Sequence, residues 1–224
     1  MFPLRDDRPT YTPPLVTTML IVACVFVFLH ERWLDEFSLN AFLMKYAVVP
    51  ARLRPVTLLT SLFIHGGWMH IIGNMLFLWA FGRSLEDAMG HWKFLGFYLL
   101  CGVIAGVVQI FFATDPRIPT LGASGAIAGV MGAYLIKFPK AWIHTLVIVI
   151  VFITTVEIPA WFFTVFWFIM QLFNGVGSIA TTQVSSGGGT AWFAHIGGFI
   201  AGMILVTIMG TRNRYVRRHV EERW

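Results

Sequence analysis

Long apolar stretches, separated by short polar or glycine- and proline-containing segments, make up most of the chain. A helix that crosses a bilayer needs about 20 mostly apolar residues, because each residue advances the helix by about 1.5 Å. The stretches predict six spans, at residues 14–29, 61–81, 92–113, 124–138, 158–176 and 191–209. The predicted fold class is therefore an all-α membrane protein with a bundle of six transmembrane helices.

Two connections between the predicted spans are too apolar to be free loops. Residues 30–60 mix aromatic with charged side chains, which is typical of short helices lying in the membrane interface. Residues 142–157 are apolar but are separated from the fifth span by Glu157 and Pro159, so we predict a connection at the interface. The segment 175–190 is rich in glycine, serine and threonine, and we expect it to be mobile.

The fourth predicted helix is too short to cross the bilayer. From Ser124 to Phe138 it would measure about 22 Å, whereas the hydrocarbon core is about 30 Å thick. Its first residue should therefore lie below the membrane surface, and the preceding loop should dip in beside a cavity lined by protein. This predicts that Ser124 lies at depth.

Composition supports a membrane protein and argues against other classes. The chain is 57% hydrophobic and 12% charged, whereas a soluble domain would carry about 25% charged residues. The net charge of +5 does not indicate nucleic-acid binding, because the basic residues flank the spans instead of forming a patch. With both termini in the cytoplasm, eleven of the 16 lysines and arginines fall on the inner side, as the positive-inside rule requires.

Ser124 and His195 each open one of the predicted apolar helices. Polar residues inside a bilayer are costly and are functional candidates by default. Serine and histidine are the residue types of a nucleophile and its base. The predicted orientation points the starts of both helices towards the outer face, so the two side chains can meet.

Small residues follow both candidates and predict close packing of their helices. Gly125 and Gly129 follow the serine, and Gly198 and Gly202 follow the histidine, in the small-xxx-small pattern. Two ordinary helix contacts are an alternative explanation of these glycines taken alone. Close packing would set the first turns of the two helices side by side.

Donors for an oxyanion are predicted at two places. The helix that starts at Ser124 has backbone N–H groups without intrahelical partners. His70 and Asn74 are four residues apart and share a helix face. A polar pair that joins two helices is the alternative, but beside a serine nucleophile we favour donation to the oxyanion. His65 lies on another face, and we expect it to be supporting structure.

A third acidic member of the site is not evident. Of the eleven carboxylates, none lies in an apolar stretch near His195. We therefore expect packing to position the base, and a dyad is favoured over a triad.

These motifs resemble those of the rhomboid intramembrane serine proteases. That family has His-x-x-x-Asn in its second span, Gly-x-Ser-Gly at its fourth and a histidine followed by glycines in its sixth. In this chain the motifs stand, in the family's order, as His70/Asn74, Gly122-Ala123-Ser124-Gly125 and His195-Ile196-Gly197-Gly198. The resemblance covers residues 14–210.

The resemblance implies a rhomboid-like bundle, with a membrane-associated first loop, that acts as a serine endopeptidase on peptide bonds in or next to transmembrane segments. Ser124 would be the nucleophile, and His195 the base and later the acid. The Ser124 N–H, His70 and Asn74 would form the oxyanion hole. The residues in supporting roles would be Gly122, Gly125, Gly198, Gly202 and His65.

The resemblance also implies two features outside the dyad. The fifth span and a cap at 175–190 would gate lateral access of a substrate helix, and Glu86 would tie the second span to its neighbours. Some family members have a tyrosine one turn after the nucleophile that stacks on the base, whereas this chain has Ala128.

Other functions fit the sequence less well. A silent rhomboid-like protein that binds membrane helices would typically lack the serine or the histidine. A transporter or channel would need repeats or broken helices with ion ligands. A metalloprotease would need the motif His-Glu-x-x-His, and an aspartyl protease would need a pair of intramembrane aspartates. We expect no cofactor and no metal. The expected partners are single-span or multi-span membrane-protein substrates and the lipid bilayer, without nucleic acid; the oligomeric state stays open.

The chain divides into three predicted parts. Residues 1–13 form a short cytoplasmic lead, residues 14–210 the six-span domain and residues 211–224 a basic cytoplasmic tail. The lead has the features of neither a signal peptide nor a transit peptide. Together with the compact plan, this suggests a multi-pass protein of a prokaryotic plasma membrane.

Overall fold

A computed structural model describes residues 2–149, 152–180 and 191–211, which fold into a helical bundle with one small sheet. The helices of this described part are α1 (Leu15–Trp33), α2 (Glu36–Tyr46), α3 (Thr57–Thr60), α4 (Trp68–Met89), α5 (His91–Phe111), α6 (Ser124–Lys137), α7 (Ala160–Ala180) and α8 (Trp192–Met209).

Six of these helices correspond to the six predicted spans. Four of them, α1, α5, α7 and α8, are long and apolar enough to cross a bilayer. Helix α4 has 22 residues but carries Arg83, Glu86 and Asp87 near its end. Helix α6 has only 14 residues, which makes it about 21 Å long. The predicted all-α membrane fold is confirmed, and the protein crosses the membrane several times.

Helix α6 lies at the centre of the bundle. Residues 125–134 are all buried, and the helix packs against α4, α5, α7 and α8. Six of these ten residues are glycine or alanine, and small side chains let neighbouring backbones approach closely in a membrane protein. The short helix that begins with Ser124 is therefore surrounded by protein.

The connection predicted at residues 142–157 contains most of a β-hairpin. Strand β2 (Trp142–Val149) pairs antiparallel with β3 (Phe152–Pro159). Strand β1 (Phe2–Asp6), within the predicted lead, pairs antiparallel with β2. Valine, isoleucine and threonine dominate the hairpin, and such residues favour strands. The sequence analysis did not predict these strands, because a nearly continuous apolar run lacks the alternation that marks a half-buried strand.

The second span begins and ends later than the predicted 61–81. Residues before it form the single turn of α3 and a 3-10 turn at Ser61–Phe63, and the long helix starts only after Gly67. Beyond Phe81 the helix continues for two turns, because the carboxylates there, Glu86 and Asp87, are buried against other parts of the chain instead of ending the helix at a membrane surface.

Two buried carboxylates near the end of α4 bind the segment that leads into α1. Glu86 accepts hydrogen bonds from the N–H groups of Val16 and Thr17, both at 2.8 Å. These N–H groups lie in the first turn of α1 and have no intrahelical partner, so a carboxylate there is stabilising. Asp87 accepts from the N–H of Thr12 at 2.9 Å and from its hydroxyl at 2.6 Å. Glu86 thus ties α4 to α1, as expected.

The first loop contains short helices, as predicted. Helix α2 is capped by Asp35, whose carboxylate accepts the backbone N–H of Ser38 at 2.9 Å. This hydrogen bond lowers the pKa of Asp35. The cap fixes where α2 begins, because it satisfies one of the unpaired N–H groups of the first turn.

Candidate active site

Ser124 is the first residue of α6, and the turn before it depends on a glycine. Gly122 has a φ of +120°, a backbone conformation that side chains with a Cβ rarely adopt. A Cβ at this position would also lie 2.9 Å from Nε2 of His70. The N–H of Gly122 donates to the carbonyl of Ser61 at 2.9 Å. Gly122 therefore shapes the turn that presents Ser124 beside His70.

Helices α6 and α8 touch backbone to backbone just below the two predicted catalytic residues. A methyl group on Gly198 would overlap the carbonyl oxygen of Gly125, and one on Gly202 would overlap that of Gly129. The predicted small-residue spacing thus corresponds to close contact of these helices. The contact fixes their register and sets their first turns side by side.

Ser124 and His195 meet through their side chains. The Oγ of Ser124 lies 2.8 Å from Nε2 of His195, which is a hydrogen-bonding distance. His195 is 7% exposed, whereas Ser124 is partly exposed. A nucleophile that its base can deprotonate needs this arrangement.

Gln171 of α7 contacts the other ring nitrogen of His195, and the sequence analysis missed it. Its Oε1 lies 2.8 Å from Nδ1 of His195, and its Nε2 donates to the carbonyl of Trp167 at 3.2 Å. The expectation that packing alone positions the imidazole was wrong, because a buried ring N–H requires an acceptor. The available signal was an amide side chain within a strongly apolar helix.

Two tryptophans pack on the imidazole of His195. The ring of Trp167, on α7, has its centroid 5.5 Å from that of the imidazole, and the ring of Trp192 lies at 6.2 Å, nearly perpendicular to it. Ala128, one turn after Ser124, is fully buried and offers no ring. The aromatic contact of His195 therefore comes from α7 and from the start of α8.

His70 and Asn74 lie one turn apart on α4. The Nδ1 of His70 accepts the N–H of Gly66 at 3.4 Å, so in a neutral ring the hydrogen is on Nε2, the atom next to Gly122. Asn74 is 8% exposed, and its Nδ2 has no hydrogen-bond partner within residues 2–149, 152–180 and 191–211. Each side chain thus keeps a donor available.

His65 lies behind His70 and is fully buried. Their ring centroids are 5.2 Å apart. The Nδ1 of His65 lies 3.2 Å from the carbonyl of Phe63, and its backbone N–H donates to Glu31 at 3.3 Å. These contacts join the loop before α4 to α1. The supporting role of His65 stays a prediction.

A family model for the Rhomboid domain matches residues 52–212, which is well over half of the chain and contains all three motifs. The chain belongs to the rhomboid family. Membership in this family points in general to intramembrane serine proteases, and it confirms the resemblance seen in the motifs.

Eukaryotic rhomboid proteins are similar to this chain. Presenilin-associated rhomboid-like protein A, mitochondrial, of Danio rerio is 35% identical over 140 residues, which are 62% of this chain and 35% of that protein. Rhomboid protein 1, mitochondrial, of Saccharomyces cerevisiae is 29% identical over 153 residues, 66% of this chain and 40% of that protein. RHOMBOID-like protein 5 of Arabidopsis thaliana is 27% identical over 158 residues, which are 70% of this chain and 45% of that protein.

These matches show how much of each relative is similar to this chain and which organelle the names of two relatives give. The similar region spans less than half of each of the three relatives. Two of the three are named as mitochondrial and all are eukaryotic, so they give no support to the predicted prokaryotic plasma membrane. This rhomboid protein is a multi-pass membrane protein.

Proposed function

We propose that this rhomboid protein is an intramembrane serine endopeptidase that hydrolyses peptide bonds in or next to transmembrane segments of membrane proteins. The observation that carries the proposal is the 2.8 Å distance between Ser124 Oγ and His195 Nε2. A serine hydroxyl is a weak nucleophile, and an adjacent base activates it. Membership in the rhomboid family supports the same reaction class.

In the proposed reaction, Ser124 Oγ attacks the substrate carbonyl carbon while its proton passes to Nε2 of His195. The carbonyl π electrons move to oxygen and form a tetrahedral oxyanion. His195 then gives the proton to the amide nitrogen as the C–N bond breaks, which leaves an acyl-enzyme. Water repeats the sequence on the acyl carbon, and Ser124 leaves with the proton returned by His195.

Three donors would stabilise the oxyanion. They are the backbone N–H of Ser124 at the start of α6, the Nε2–H of His70 and the Nδ2 of Asn74. The hydrogen bond from Gly66 to Nδ1 of His70 supports the assignment of the hydrogen to Nε2. The buried Nδ2 of Asn74, which has no partner among the described residues, supports the second side-chain donor.

The remaining predicted residues would act around the dyad. Gly122 would hold the turn before the nucleophile, and the glycines of the α6–α8 contact would hold the nucleophile against the base. His65 would support His70. Helix α7 and the cap at 175–190 would gate lateral access of substrate. Residues 175–180 of this cap belong to α7, and residues 181–190 lie outside the described residues.

The domain plan and the membrane location are part of the proposal. Residues 14–210 would form the protease domain, between a short lead and a basic tail of which residues 212–224 lie outside the described residues. Both termini would lie in the cytoplasm, because eleven of the 16 lysines and arginines would then lie on the inner side. A plasma membrane remains our proposal for the location.

The proposal is tested with a fluorophosphonate probe and a single-span test substrate on the detergent-purified protein. Wild type, Ser124→Ala and His195→Ala are compared. The matched controls are Ser84→Ala, a buried serine of α4, and His144→Ala, on the β-hairpin. We expect labelling and cleavage in wild type and both controls, and neither in the two dyad variants.

Two results would contradict the proposal. Wild type that neither labels nor cleaves would instead favour a silent protein that binds membrane helices. Cleavage that survives Ser124→Ala would indicate a contaminant or another nucleophile.

A further inference from the structure

We propose that Gln171 is a positioning residue that holds His195 in the tautomer required of the base, and that α7 thereby controls whether the dyad is competent. The inference rests on the proposed function, in which His195 is the base. It adds a residue on a third helix whose role is separable from those of the serine and the histidine.

The orientation of the Gln171 amide follows from its second contact. The oxygen and nitrogen of an amide are told apart by their hydrogen-bond partners. The carbonyl of Trp167 can only accept a hydrogen bond, so the amide atom 3.2 Å from it is the NH₂ group. The oxygen of Gln171 therefore faces Nδ1 of His195, at 2.8 Å.

An oxygen acceptor at Nδ1 fixes the hydrogen of the neutral imidazole on that atom. One ring nitrogen of neutral histidine donates and the other accepts. With the hydrogen on Nδ1, the lone pair of Nε2 faces Ser124 Oγ at 2.8 Å and can take its proton. The other tautomer would set two lone pairs against each other at Gln171 and would leave no acceptor for Ser124.

The three residues lie on elements that are held together differently. Helices α6 and α8 are in backbone contact at their glycines, which fixes Ser124 relative to His195. Helix α7 reaches the site through side chains, for example Phe168 stacked on Phe199 with ring centroids 4.5 Å apart. Its opposite face exposes large apolar residues, including Phe173 at 72%.

A displacement of α7 would therefore act on the tautomer and not on the contact within the dyad. It would withdraw the oxygen of Gln171 from Nδ1 while the glycine contacts keep Ser124 beside His195. Because α7 forms one wall of the site, the position of this wall and the competence of the base are coupled through one hydrogen bond.

Two substitutions at Gln171 separate the effect of its hydrogen bond to His195 from the effect of its side-chain volume. Gln171→Met removes the acceptor and keeps the length of the side chain, whereas Gln171→Glu keeps an acceptor oxygen. The matched control is Thr164→Val, also buried on α7, whose hydroxyl donates to the carbonyl of Ala160 at 2.8 Å. Thermal unfolding of each variant reports whether it folds.

The readouts are the tautomer and the kinetics. Nitrogen NMR of protein with ¹⁵N-labelled histidine reports which ring nitrogen is protonated, and the His195 signals are identified by their loss in His195→Ala. We expect hydrogen on Nδ1 in wild type, Gln171→Glu and Thr164→Val, and a mixture of tautomers in Gln171→Met. Labelling rate and kcat should fall about 10- to 100-fold in Gln171→Met, since general base catalysis contributes about 10²- to 10⁴-fold, with KM unchanged.

The outcomes distinguish this inference from the proposed function. If Gln171→Met retains the Nδ1–H tautomer, the inference is overturned, even where its rate falls. If Gln171→Glu also loses the tautomer while remaining folded, an acceptor at this position is not what sets it. Failure of wild type to label would overturn the proposed protease instead, and the NMR comparison would still decide whether Gln171 sets the tautomer.

Discussion

Asn74 and His70 keep their donor groups available in different ways. His70 uses one ring nitrogen for the loop before α4 and keeps the other beside Gly122. Asn74 is buried, and its Nδ2 has no hydrogen-bond partner in the part of the chain that the structure describes. An unpaired buried donor costs about 1–3 kcal/mol. A group that reduces stability in the resting protein is explained if it gains its partner during the reaction. A mutation of Asn74 should therefore affect activity and stability in different directions.

Asn74→Leu should lower activity without lowering stability. Loss of an oxyanion donor reduces kcat about 10²- to 10³-fold, whereas removal of an unpaired buried amide leaves the free energy of unfolding unchanged or raises it. Cleavage assays and unfolding in detergent measure the two quantities. Ser84→Ala should leave kcat unchanged. It removes from the same helix a buried hydroxyl that has no hydrogen-bond partner within the described ranges. An Asn74→Leu protein with the kcat of wild type would show that Asn74 is not a donor.

The contact between α6 and α8 acts differently, since it sets the distance between Ser124 and His195 and supplies no hydrogen-bond donor to the site. The backbones approach so closely that a methyl group on Gly198 or Gly202 would overlap the carbonyl oxygen of Gly125 or Gly129. Any side chain there must push the helices apart, and the 2.8 Å contact of Ser124 with His195 would lengthen with them. The geometry of the dyad is thus a property of the helix pair.

Gly202→Ala should destabilise the protein and slow labelling of Ser124 by the fluorophosphonate. Overpacking typically costs about 1–3 kcal/mol, which exceeds the gain of about 1 kcal/mol in helix propensity. Gly96→Ala is the matched control, because its Cβ would meet nothing within 4 Å on α5, and it should be neutral or stabilising. Equal unfolding temperatures for the two variants would argue against a tight contact.

At the scale of the whole molecule, apolar surface surrounds the bundle. Large side chains on four different spans are strongly exposed, among them Phe26 at 75%, Phe111 at 81% and Ile208 at 74%. Apolar patches of this extent on a protein surface indicate a lipid-facing surface when they lie on helices long enough to cross the bilayer. The orientation of the bundle then follows from its basic residues.

Cysteine labelling in intact cells tests this orientation. Thr114→Cys, in the loop before α6, should react with a membrane-impermeant maleimide, whereas Lys140→Cys, between α6 and the hairpin, should react only after permeabilisation. The native Cys24 and Cys101 are both 0% exposed and should stay unlabelled in the wild-type control. The reverse pattern would place the termini on the outer side.

The sequence predicted what depends on helical periodicity and spacing. Apolar length predicted the spans, and the small residues after Ser124 and His195 predicted the contact that brings their helices together. It did not predict the hairpin, because its apolar strands lack alternation. Nor did it predict Gln171, because this residue is one of several polar residues on α7 and belongs to no motif. Its contact with His195 on α8 forms only when the helices pack.

The pairing of β1 with β2 has a consequence for biosynthesis. Phe2 pairs with Leu146, so the two strands leave the ribosome about 140 residues apart, or about 7–30 s apart at the usual elongation rates. During this interval α1, α4, α5 and α6 are synthesised while β1 has no strand to pair with. The sheet is therefore completed late, because β1 is made before α1 but can pair with β2 only after α6 has been translated.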